Sequence, residues 1–199
     1  MKRKHTPSAK RNAALKALVL DCETSGLPKN RTIKLDLQPS IIEFAAKLVN
    51  LKTGKVLKSY QTFIKPFKPL SDTPAFGDKK TITQITGISN EMLKDAPSFK
   101  EVSKEIFTMI QKAPVVIAHN LSFDAEMLDI EAERLKYELK WPRKICTVEA
   151  TIAMKGFRMN LTKLHLELFG KEFAGAHRAM GDVEALTPIS VELFKRGML

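Results

Sequence analysis

The sequence predicts an α/β fold with a mixed central sheet, an antiparallel three-strand meander plus parallel strands, and helices on both faces. Three observations carry that expectation. A short, wholly apolar run, Ala17 to Leu20, reads as a buried strand. Two segments after it alternate or return as a hairpin, and from Ser98 onward helical and strand patterns alternate.

The elements follow in order. Residues 28 to 40 are polar with prolines at both ends and read as loop. Ile42, Phe44, Ala46 and Leu48 alternate with Glu43, Ala45 and Lys47, the period of two of a half-exposed strand. Gly54 marks the turn, and Val56 to Ile64 is the returning strand. Residues 65 to 80 carry Pro66, Pro69, Pro74 and Gly77 and form a long loop, a candidate docking segment. Ser98 is the expected N-cap of a helix whose apolar face holds Phe99, Val102, Ile106 and Met109 or Ile110. Val115 to Ala118 is a second buried strand. Phe123, Met127, Ile130 and Leu135 mark a helix, and Ile145 to Val148 a short strand. Leu161 to Phe169 and Ala176 to Lys195 read as the last helices, with Pro188 expected to kink or end the second.

With 199 residues and 44% hydrophobic content the chain suits one domain with a proper core, so global disorder is excluded. No run approaches the ~20 apolar residues of a membrane span, and no membrane partner is expected. Cys22 and Cys146 are too few and too far apart for a disulfide framework, which fits a reducing, cytoplasmic setting. The formal net charge is +11, which favours a polyanionic partner, nucleic acid first. Residues 1–16 contribute six Lys or Arg and no acid and read as a flexible basic arm. Met1-Lys-Arg-Lys-His5 starts like a signal peptide, but Lys16 and Asp21 interrupt the apolar run and no small-residue cleavage site follows.

Within this basic chain three acidic groups sit at element junctions. Asp21 and Glu23 end the first strand two residues apart, so both project from one face while Cys22 points to the other. Two neighbouring carboxylates repel, and a hard cation such as Mg²⁺ or Mn²⁺ relieves that cost. A solvated acidic turn before Thr24-Ser25-Gly26 is the plainer reading of that pair alone. His119-Asn120 and Phe123-Asp124 follow the second buried strand, at the kind of junction where α/β folds place ligands. Asp124 also suits the dipole of the helix it opens, and Phe123 is in phase with core positions Met127 and Ile130. Ala176-His177-Arg178-Ala179, with Asp182, opens the last predicted helix, and small residues there allow close approach to the sheet.

Asp21-Cys-Glu23-Thr24-Ser-Gly26, His119-Asn120-x-x-Phe123-Asp124 and His177-Arg-Ala-x-x-Asp182 resemble, in order, the three motifs of the DnaQ-like exonuclease superfamily, the last in its DEDDh form. Thr86-Gly87-Ile88 is similar to the element between the first two motifs. The resemblance runs from about Leu18 to Leu193, so it sets an exonuclease domain at 17–199 behind the arm. It implies an RNase H-like fold and a 3′→5′ exonuclease that releases 5′-mononucleotides. It also implies that Asp21, Glu23, Asp124 and Asp182 ligate two Mg²⁺ ions, replaceable by Mn²⁺, and that His177 is the general base. It places Thr24 and Leu27 near the terminal nucleotide, and His119, Asn120 and Phe123 in or beside the substrate pocket. Lys29, Arg31 and Lys34, just beyond the first motif, lie where phosphates would pass.

The expected substrate is a DNA 3′ end, single-stranded by preference. RNA ends or short oligoribonucleotides are the alternative, since the sequence does not locate contacts to a 2′-OH. A non-catalytic nucleic-acid-binding module is a remoter one. A polymerase or another replication or repair protein is a candidate partner.

Overall fold

The computed structural model describes residues 16–74 and 80–199. These contain five strands, β1 (Lys16–Thr24), β2 (Ile41–Asn50), β3 (Val56–Phe63), β4 (Val115–Ala118) and β5 (Arg143–Cys146). They form one sheet in the order β3-β2-β1-β4-β5. β1, β2 and β3 pair antiparallel, whereas β1 with β4 and β4 with β5 pair parallel. This is the expected meander with parallel strands added on its far side. The helices are α1 (Ile82–Thr86), α2 (Asn90–Leu93), α3 (Phe99–Lys112), α4 (Leu121–Arg134), α5 (Thr147–Lys155), α6 (Leu161–Phe169) and α7 (Ala179–Lys195). No helix among the described residues is long and apolar enough to cross a membrane.

Alternation along β1 decides which face carries the chemistry. Leu18, Leu20 and Cys22 pack with residues of α3 and α4, while Ala17 and Val19 pack with α6 and α7. Asp21 and Glu23 continue the Ala17–Val19 row, so the acids point toward α7. β1 also runs four residues past the apolar run, because β2 keeps pairing with it: Asp21 lies opposite Ala45 and Glu23 opposite Glu43. The basic arm expected at 1–16 lies outside the described residues except for Lys16, which opens β1.

Four expectations are corrected. β2 is buried along most of its length rather than half exposed, since β1 and β3 flank it and α7 covers its second face. The strand expected at 145–148 is β5 and ends at Cys146; Thr147 opens α5 instead, which Gly156 stops in a left-handed conformation (φ 75°). Thr151 fits that helix by donating its Oγ1 hydroxyl back to Thr147 O at 2.8 Å. The last helix starts at Ala179, not Ala176. It also continues through Pro188 to Lys195 rather than ending at the proline. Pro188 deprives only the carbonyl of Glu184 of its helical partner, and both residues lie on the exposed side. Short α1 and α2 occupy part of the segment before Ser98, α1 through a capping box in which Thr81 and Gln84 bond reciprocally.

α3 begins where expected, with the Glu101 carboxylate accepting from both Ser98 N and Ser98 Oγ at 2.7 Å. The loop 28–40 is held by a buried pair: Arg134 Nη1 donates to Glu131 Oε1 at 2.8 Å, and Arg134 Nη2 to the carbonyls of Leu35 and Gln38 at 2.8 and 2.7 Å. Glu131 Oε1 also accepts from Ile41 N at 3.1 Å, so one ion pair pins both the loop and the start of β2.

Candidate active site

Asp21 and Glu23 come from the end of β1, and α7 brings Asp182 against them. One carboxylate oxygen from each of the three lies within 4.8 Å of the others. Asp124, in the first turn of α4, approaches from the parallel side of the sheet. Its Oδ1 accepts from Cys22 N at 3.0 Å, which fixes it beside β1 but outside the set of three. The structure thus gathers all four predicted acids at one end of β1.

The electrostatics follow from that crowding. Burial pushes the Asp21 carboxyl well above the usual carboxylate range, and the charges of Asp124, Asp182, Glu23 and Glu43 push it further. Burial, then Asp182, Glu43 and Asp124, raises Glu23 to about 8 against the pull of Arg178. Asp124 rises to about 8 through burial, despite the hydrogen bond from Cys22 N. Asp182 rises to about 6 through burial, opposed by the backbone N–H and the charge of His177. The donor set is oxygen-only and short of positive charge, which fits a hard divalent cation.

His177 does not sit in the helix. It precedes α7 with a left-handed φ of 65°, and its backbone N–H donates to Asp182 Oδ2 at 3.1 Å. Its side chain is exposed beside Asp182. The start of α7 has no cap from its own neighbourhood. Glu43, on β2, provides one: its Oε2 accepts from Ala179 N at 3.1 Å. Arg178 grips the same carboxylate side-on, Nε to Oε2 at 3.1 Å and Nη2 to Oε1 at 2.9 Å. Gln61 Nε2 adds a fourth bond at 2.8 Å. Burial would raise the Glu43 carboxyl, but these donors outweigh it and hold the pKa below the usual value. Sequence reading missed Glu43: a lone acid in an alternating strand looks solvent-facing. The cross-strand position opposite Glu23 was the signal available.

The remaining predicted residues divide. Thr24 is buried, and its Oγ1 donates to Gly26 O at 2.8 Å, shaping the turn after the acids. Leu27 is 57% exposed. With Gly26, Lys29, Phe67 and Lys68 it lines a cavity of about 870 Å³ that begins just past Thr24 and does not include the acids. Lys29 and Lys34 are exposed beside it, whereas Arg31 pairs with Glu133. His119 has both ring nitrogens engaged, Nδ1 with Thr147 Oγ1 at 2.9 Å and Nε2 with Met159 O at 3.1 Å. A carbonyl only accepts, so Nε2 carries the proton. Burial lowers the pKa of His119, against the pull of the Met159 carbonyl. Asn120 takes φ 71°, and its Oδ1 accepts from Arg158 Nη2 at 3.1 Å. Phe123 is half-buried against the α3–α4 core.

A mixed five-stranded sheet with helices on both faces carries, at the end of its first strand, the acidic donor set of a divalent-metal site. The exonuclease family RNase_T matches residues 18–189, and the chain belongs to that family, within the DnaQ-like superfamily. The family is one of exonucleases, as expected, and its structural neighbours share the expected RNase H-like fold. DNA polymerase III PolC-type of Oceanobacillus iheyensis is 30% identical over 183 residues, 90% of this chain and 11% of the polymerase. The 3′-5′ exonuclease DinG of Bacillus subtilis is 31% identical over 181 residues, 90% of this chain and 18% of that protein. The chain therefore spans less than a fifth of these relatives. Among solved structures, the nuclease domain of 3′hExo, a DEDDh family member bound to rAMP, superposes with a TM-score of 0.71 at 18% identity. The match covers 92% of this chain and 94% of that one.

Proposed function

We propose that the chain removes nucleotides from the 3′ end of single-stranded DNA, releasing 5′-mononucleotides, with residues 17–199 as the catalytic domain. The convergence of Asp21, Glu23 and Asp182 oxygens within 4.8 Å carries this reading. In it, Asp21, Glu23, Asp124 and Asp182 hold two Mg²⁺ ions, with Mn²⁺ able to replace them. Bound there, the ions supply the positive charge that offsets charge building on the reacting phosphate. The protein's own groups do the rest. The exposed imidazole of His177, beside Asp182, takes the proton of the attacking water at a ring nitrogen. The apolar side chain of Leu27 and the turn held by Thr24 receive the terminal nucleotide. His119 holds the Asn120 turn from within, and Asn120 and Phe123 border the nucleotide on the α4 side. Lys29, Lys34 and Lys68 line the route of the backbone, and the basic residues of 1–16 add a sequence-independent grip on longer strands.

The name of one relative, a DNA polymerase, favours DNA. An RNA 3′ end is the second reading, favoured by the rAMP in the structural neighbour. The polymerase relative also supports a replication or repair protein as partner, reached through residues 1–16 or the 65–80 loop, of which 1–15 and 75–79 lie outside the described residues.

One gel tests polarity, substrate and cation dependence together. Wild type and Asp21→Ala are incubated with 5′-labelled single-stranded DNA, duplex DNA and RNA, with Mg²⁺, Mn²⁺ or EDTA. Stepwise shortening of labelled single-stranded DNA, lost in EDTA and in Asp21→Ala, is expected. Immediate release of label as mononucleotide, or full activity of Asp21→Ala, overturns the reading.

A further inference from the structure

We infer that Glu43 and Arg178 form a positioning pair that sets the left-handed turn at His177 and so holds the imidazole against the acids. The Glu43 side chain is fully buried and accepts four hydrogen bonds, three from the Arg178–Ala179 segment and one from Gln61. Those three bonds tie the N-terminus of α7 to β2 at the register position opposite Glu23. Arg178 is also seated over the Phe63 ring, its guanidinium carbon 5.2 Å from the centroid, which restricts the side chain to one direction. His177 and Ala179 flank Arg178, so the backbone on both sides of the arginine is fixed by its grip. Asp182 completes the arrangement by accepting from His177 N.

Two other roles for Glu43 fit less well. It does not belong to the set of three clustered oxygens, and each of its oxygens already accepts two hydrogen bonds. A purely stabilising ion pair needs neither the side-on geometry nor the bond to Ala179 N, and replacing buried ion pairs with apolar groups is often neutral for stability. A lysine keeps the charge of Arg178 but cannot grip a carboxylate with two parallel N–H groups.

The inference rests on the nuclease reading only for its activity measurement. Full-length wild type, Arg178→Lys, Glu43→Gln and the double variant are compared by kcat and KM on a single-stranded oligonucleotide, by thermal melting, and by the ¹H–¹³C NMR signals of the histidine rings. Each single variant is expected to melt cooperatively and to lose about 10–100-fold in kcat, with KM changed less than about threefold, as for misplacement of a reacting group by ~1 Å. The double variant is expected to be no worse than the worse single one, because the two residues act as a unit. The His177 ring signal should shift or broaden in every variant while those of His119 and His165 stay. Folded variants with an unmoved His177 signal, or with lowered melting temperature and unchanged kcat, overturn the inference, as do fully additive losses. If the wild type does not shorten DNA or RNA, the nuclease reading fails and the His177 signal alone decides the positioning role.

Discussion

Gly181→Ala isolates the geometry of the His177 turn with a single carbon. A Cβ at position 181 would lie 2.1 Å from Gly175 O and 2.8 Å from its carbonyl carbon, both backbone atoms. Real contacts do not fall below 3.0 Å, so the 175–178 segment must move by roughly 1 Å. Overpacking of this kind costs about 1–3 kcal/mol. Alanine in place of glycine in a helix returns up to about 1 kcal/mol. The net loss of stability is then about 0–3 kcal/mol, or a fall in Tm of up to about 6–12 °C for a chain of this size. The effect on rate should be larger, because the displaced segment carries His177 and ~1 Å of misplacement costs about 100-fold. The assay is kcat on a 5′-labelled single strand at a temperature where a melt shows both proteins folded. Gly170→Ala is the control: that residue ends α6 at φ 69° with nothing within 4 Å of the added carbon, so it loses stability but not rate. A Gly181→Ala enzyme within threefold of wild type in kcat would refute the link between this contact and the chemistry.

Three further outcomes are expected. In EDTA, Asp21→Asn should raise Tm by about 2–4 °C for each kcal/mol of burial and repulsion cost relieved, and with Mg²⁺ it should abolish activity; a lower Tm in EDTA would show that Asp21 is not under electrostatic stress. In EDTA the wild type should also lose stability between pH 7 and 9. Glu23 and Asp124 keep their protons to about 8 in the fold, whereas the unfolded chain releases them near 4, so rising pH favours unfolding. His119, with its lowered pKa, works in the opposite sense only below about 6.5 and leaves this window clear. A urea midpoint that stays flat or rises from pH 7 to 9 would contradict the assignment, and added Mn²⁺ should reduce the fall. Finally, Arg134→Met should cost about 3–5 kcal/mol in urea unfolding, since it strands the buried Glu131 carboxylate and frees the Leu35 and Gln38 carbonyls; a cost under 1 kcal/mol would show that the pair does not hold the loop.

What the sequence disclosed and what it hid divide along physical lines. Strands β1, β2, β3 and β4 and helices α3, α4 and α6 were legible because their apolar spacing is local. The pairing of Asp21 with Glu23 was legible for the same reason, a period of two at the end of an apolar run. α5 was hidden because Thr147, Val148, Thr151 and Ile152 have strand-like propensity, and the helix survives by back-bonding of Thr151. The position of His177 was hidden as well. Its backbone sign depends on a contact between Gly175 and Gly181 and on an acceptor in β2, neither of which a helical period encodes.

Glu43 is the acid of the site that the sequence motifs leave out. The fold places a fifth carboxylate on the face of Asp21 and Glu23, which would worsen their repulsion if it stood alone. Arg178, 135 positions away in sequence, takes that charge up and in the same contact fixes the turn that carries His177. The four acids expected to face a cation therefore stay crowded and hold their protons above the usual carboxylate range, while Glu43 is satisfied without a cation. A site proposed both to hold a cation and to aim His177 as its base needs these two carboxylate environments side by side. Removing Arg178 would merge them, adding an uncompensated charge to the cluster at the same moment as it releases the base.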